Sequence, residues 1–241
     1  AALVVALVGF GSNAAYYAVR QPGASHVYSF FLVSTSIGML LTGLENSAWK
    51  RRVFHLACAL LILIRPVDAL AVAALWAWLW LDRDPLLRKS SFWIGQLIAL
   101  AIVSVPQLLY WRFAYDDWVV YSYGDEGFTN WAAPEVSKFL FSPGNGWLPY
   151  TPVLVPAVLG FFAMSRTDGR HGVLIALLLC SAVIISASWH MWNYGCAFGA
   201  RPMAQYMPFL AIPLHALIRS NEQWLRRAGA LLVPITVVAT V

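Results

Sequence analysis

The chain has 241 residues, 60% of them hydrophobic and only 11% charged, with a mean hydropathy of +0.66. Soluble domains carry about a quarter charged residues, so this composition excludes an ordinary water-exposed domain and makes lipid the expected solvent. The net charge of +5, from 16 Lys and Arg against 11 Asp and Glu, then reports on loop orientation, and no nucleic-acid partner is expected. The cysteines Cys58, Cys180 and Cys196 form no C-x-x-C pair and no even-numbered framework. They support neither a zinc site nor a disulfide scaffold.

The chain opens inside one apolar run at Ala1 and closes inside another at Val241. It is read as a single transmembrane domain, 1–241, truncated at both ends, in an all-α fold that is a polytopic helical bundle. Apolar runs near the ~20 residues that a spanning helix needs lie at 1–19, 24–44, 90–111, 147–164, 172–189 and 203–218, with a shorter last run at 228–241. The stretch 53–81 differs, because Arg65-Pro66-Val67-Asp68 interrupts it. A single crossing would place Arg65 and Asp68 at mid-membrane and lose a backbone donor at Pro66. A short helical hairpin turning at Arg65-Pro66 avoids both costs.

That hairpin also satisfies the positive-inside rule. With it, connections 45–52, 82–89, 165–171 and 219–227 share the cytoplasmic side and hold 11 of the 16 basic residues. The outer side keeps Arg20, Arg65, Arg112, Lys138 and Arg201, with Asp68, Asp116, Asp117, Asp125, Glu126 and Glu135. Tryptophans near both boundaries form the expected interfacial belts.

One outer connection, 112–146, is 35 residues long, beyond ordinary helix connections, and loops of that length tend to carry function. Pro134 can open a helix within it, whose Val136, Phe139 and Leu140 share one face suited to lying in the membrane interface. Upstream, Tyr123-Gly124-Asp125-Glu126-Gly127 sets two carboxylates between glycines. Such a pair can serve acid/base chemistry or hold a divalent cation, and can equally be a solvated turn. The whole loop is expected to act as a movable cover.

Several outer segments resemble the membrane glycosyltransferases of the GT-C superfamily, especially bacterial relatives of protein O-mannosyltransferase and of the aminoarabinose lipid A transferase. They are Arg20-Gln21-Pro22-Gly23-Ala24-Ser25-His26-Val27-Tyr28-Ser29-Phe30, Leu63-Ile64-Arg65-Pro66, Leu140-Phe141-Ser142-Pro143 with Gly146-Trp147-Leu148-Pro149-Tyr150-Thr151-Pro152, and Gly195-Cys196-Ala197-Phe198-Gly199-Ala200-Arg201-Pro202. The resemblance implies a transferase in a bacterial inner membrane, with an outward-facing site. It would move a sugar from a polyprenyl-phosphate donor to a lipid, glycan or protein acceptor. A carboxylate would act as base and arginines would steady the phosphate.

Asp125 and Glu126 are the catalytic candidates, although the family's acidic motif sits in the first outer loop and is expected upstream of Ala1. Arg20, His26, Arg65, Lys138, His190, Tyr194 and Arg201 are the candidates for binding substrate, and a divalent cation is a candidate cofactor. The competing readings are a multi-span transporter, which would want ionisable groups along a membrane pathway, and a noncatalytic envelope assembly protein.

Overall fold

The computed structural model describes residues 2–121, 123–195, 197–225, 227–229 and 232. Among them every regular element is helical and no strand forms, as the composition leads one to expect. The described residues fall into two compact units, one of residues 1–30 and 128–241, the other of residues 31–127. α3 (Ser25–Leu41) runs from the first into the second.

The 31–127 unit is built on α4 (Ala48–Ile64), α5 (Ala69–Leu81) and α6 (Ser90–Tyr115). Arg65 precedes a proline, and steric conflict with the proline ring drives such a residue out of the helical region. Its φ of −150° and ψ of 111° are extended, and α4 stops there. A 3₁₀ turn, Pro66–Asp68, closed by the Asp68 amide on the Arg65 carbonyl at 2.8 Å, then launches α5. The chain returns along α4. Phe54 and His55, near the start of α4, meet Phe92 near the start of α6, and His55 Nδ1 lies 3.1 Å from Gln96 Oε1. Both basic clusters, Lys50-Arg51-Arg52 and Arg88-Lys89, therefore belong to one end of this unit, which is the hairpin expected from the charges.

The other unit contains α1 (Ala2–Phe10), α2 (Ala14–Arg20), α7 (Val136–Phe141), α8 (Leu154–Thr167), α9 (Gly169–Ala187) and α10 (Ala211–Arg219). Its most extensive helix contact is between α8 and α10. Gly160 allows it, because a Cβ there would run into the carbonyl of Pro213. Ala163 continues the contact with Leu217 and Leu225.

Four expectations change on inspection. Among the described residues only α6 and α9 are long and apolar enough to cross a membrane, while α1 and α2 together pass that test but are bent by 66°. Runs in α3, Pro66–Leu81 and α8 are apolar but shorter, and 228–241 lies almost wholly outside the described residues. The run expected at 203–218 is not one helix. A 3₁₀ segment, Arg201–Leu210, precedes α10, and Pro202, Pro208 and Pro213 each lack the amide that a continuous α-helix would use.

The helix after Pro134 forms, but its apolar face is not free for a membrane interface. Phe139 is fully buried, its ring 6.4 Å from that of Tyr194, and α7 packs on α9. Burying a phenylalanine against protein contributes about 2–3 kcal/mol.

The 112–146 connection is divided between the two units at 127 and 128, and its second part is tied down. A helix end leaves carbonyls without partners. Here the Asn130 and Glu135 amides reach Ser188 and Ala187 carbonyls at 3.0 and 3.2 Å, and the Tyr194 hydroxyl donates to Ser186 at 2.9 Å. Asn145 Nδ2 adds bonds to the Asn193 and Gly195 carbonyls, each at 3.0 Å. A movable cover does not describe residues 128–146.

Candidate functional site

The break between α1 and α2 organises the site. Ser12 donates to the Val8 carbonyl at 2.7 Å and accepts from the Ala14 amide at 3.3 Å. The Val153 amide takes the Gly11 carbonyl at 3.2 Å. Backbone groups freed by the bend thus regain partners, the usual condition for a sharp kink in an apolar helix.

Beyond the break, α2 sends Tyr16 and Tyr17 to the loop that carries Phe198. The Tyr17 hydroxyl accepts from the Phe198 amide at 2.8 Å and donates to the Phe198 carbonyl at 3.1 Å. Asn13 Nδ2 donates to the Ala200 carbonyl at 3.3 Å. With its backbone held on both sides, the Phe198 ring stacks on Tyr16 at 4.4 Å and meets Tyr150 edge-on at 5.0 Å. Gly199 makes that approach feasible. Its φ is +62°, and a Cβ there would sit 2.6 Å from Tyr150 Cβ.

These rings wall a cavity of about 570 Å³, whose lining also includes Ser12, Arg20, Pro149 and Pro152. Arg20 is exposed at its edge and among the described residues makes no ion pair. Arg201, at the start of the 3₁₀ segment, is close enough for its charge to act on the Tyr17 hydroxyl. Its Nε is buried without a hydrogen bond among the described residues, as is Asn13 Oδ1.

The other candidate residues have separate settings. His26 is buried, with Nδ1 2.8 Å from Gln205 Oε1. Tyr194 closes the end of α9 through its hydroxyl, and the half-buried His190 ring lies 5.1 Å from that of Trp189. Lys138 is paired with Glu135 at 2.9 Å on one exposed turn of α7. That local pair gives Lys138 a partner on its own helix, and Lys138 is not on the cavity lining.

Arg65 ends α4 in the other unit. Asp125 and Glu126 are exposed on the turn at 123–127 of that same unit, and neither lines the cavity. Among the described residues no three His, Cys, Asp or Glu side chains come together to hold a metal ion. Cys196, within one of the resembling segments, lies outside the described residues.

Asn13, Tyr16 and Tyr17 were not among the residues singled out from sequence, and Tyr150 and Phe198 were named only as parts of the resembling segments. The available signals were a lone asparagine inside an apolar run and an adjacent tyrosine pair. No family model, curated protein or solved structure matches the chain.

Proposed function

We propose that this chain is a polytopic membrane glycosyltransferase of the GT-C kind. It would transfer a sugar from a polyprenyl-phosphate donor to a lipid, glycan or protein acceptor at the outer face of a bacterial inner membrane. The observation that carries this reading is the meeting of three of the four resembling segments at one cavity: Arg20 from the first, Pro149 and Tyr150 from the third, Phe198 from the fourth. They are far apart in the chain, yet share a pocket with an aromatic wall and a cationic edge.

In this scheme an acceptor hydroxyl oxygen attacks the anomeric carbon, its proton passes to a carboxylate base, and the bond from that carbon to the phosphate oxygen breaks with its electron pair leaving on the phosphate. A guanidinium offers planar, paired donors to such a group. Arg20, on the cavity lining, is assigned that role. The Tyr16, Tyr150 and Phe198 rings give the sugar an apolar surface that also keeps water from the anomeric carbon.

The test is sugar transfer from a polyprenyl-phosphate donor in membranes that carry the protein. Arg20→Gln is expected to raise the donor concentration needed by about tenfold, the worth of one charge-assisted contact. Asp125→Asn and Glu126→Gln decide whether either carboxylate takes part, and transfer close to that of the unmodified chain removes both from the reaction. A fall of about a hundredfold in either, the low end for a general acid or base, would place that carboxylate in the reaction.

A further inference from the structure

The break between α1 and α2 separates two hollows that share a wall. On one side is the cavity edged by Arg20; on the other lies a narrower groove of about 220 Å³ lined by Gly9, Ala14, Tyr17, Ala18, His26 and Ala204. Phe10 and Ala15 line both, so the hollows adjoin along the bent helix.

Their chemistry differs. Small side chains let an occupant of the groove lie close to the helices. The groove's two polar side chains are engaged elsewhere, His26 with Gln205 and Tyr17 with the Phe198 backbone. An arm placed there is offered little hydrogen bonding and is best made of hydrocarbon. The adjoining cavity offers the guanidinium of Arg20, which recognises an anionic oxygen group. The flank is open and apolar as well: Phe10 is 67% exposed and Val19 78% exposed, and Ala18 is exposed on the groove itself.

We propose that these two hollows hold an anionic phospholipid of the surrounding bilayer, with one acyl arm in the groove and its phosphate at Arg20. An opening on an exposed apolar flank admits a ligand sideways from the bilayer. Phospholipid is the amphiphile at highest concentration there, and occupancy follows concentration. The charge of Arg20 then selects the anionic members. A lipid-linked sugar donor would use the same mouth and displace this resting lipid. The proposal rests on the membrane placement given above and not on sugar transfer.

The experiment reconstitutes the full chain in vesicles of phosphatidylcholine, alone or mixed with phosphatidylglycerol. Membrane insertion is read by flotation and retained lipid by native mass spectrometry. The unmodified chain is expected to retain phosphatidylglycerol over phosphatidylcholine by about tenfold. Arg20→Gln should abolish that preference while both lipids are still retained. Ala18→Leu should lower retention of both lipids with thermal stability preserved, since the site is an exposed helical position and both residues favour helix. Equal retention of the two headgroups by the unmodified chain, or retention unchanged in both variants, overturns the proposal. A chain that fails to float overturns the membrane placement itself.

Discussion

Gly160→Val is expected to lower the stability of the 1–30 and 128–241 unit by about 3 kcal/mol. The α8 to α10 contact brings the Pro213 carbonyl against the Gly160 Cα, and a Cβ at 160 would overlap backbone atoms that cannot rotate away. Overpacking a well-filled contact typically costs about 1–3 kcal/mol, and backbone overlap puts this substitution at the upper end. Against a total stability of about 5–15 kcal/mol, that loss is large. Thermal unfolding in detergent reads it directly. Gly38→Ala in α3, where a Cβ would meet nothing within 4 Å, is the matched comparison. It should be neutral or gain about 0.5–1 kcal/mol, the helix cost of glycine.

Gly199→Val is expected to remove most sugar transfer while leaving the helices folded. The backbone at 199 is left-handed, and the added Cβ would meet Tyr150 Cβ, so the Phe198 loop and the Tyr150 ring cannot keep their present places together. Misplacing a substrate-positioning group by about 1 Å can cost about a hundredfold in rate, and a fall of that order is expected. The strain adds about 1–2 kcal/mol. Circular dichroism and unfolding should therefore stay close to the unmodified protein while transfer falls. Normal transfer by Gly199→Val would separate the Phe198 loop from the reaction.

The parts of the fold legible in the sequence were those set by local rules. The end of α4 follows from one residue before a proline, and the hairpin from where the basic residues cluster. The run at 203–218 misled because hydropathy does not register the missing amides of Pro208 and Pro213. The helix after Pro134 was identified by its periodicity, but an apolar stripe does not distinguish lipid from α9 as its cover.

The site was less legible. Tyr17 and Phe198 are 181 positions apart and Asn13 and Ala200 are 187 apart, so their bonds leave no local spacing to read. Arg20 stood out because a cation against the charge bias is visible in one dimension. Lys138 stood out for the same reason, although Glu135 three positions away already supplied its partner.

The most direct test of the proposed site is a photoreactive polyprenyl-phosphate sugar, cross-linked to the membrane-embedded protein and mapped by mass spectrometry, with excess unlabelled donor as competitor. Competable adducts are expected on the cavity lining, at Tyr16, Arg20, Tyr150 and Phe198. They should weaken in Gly199→Val. Competable adducts confined to residues 31–127, or labelling that excess donor does not reduce, would contradict the assignment of this cavity to the lipid-linked donor.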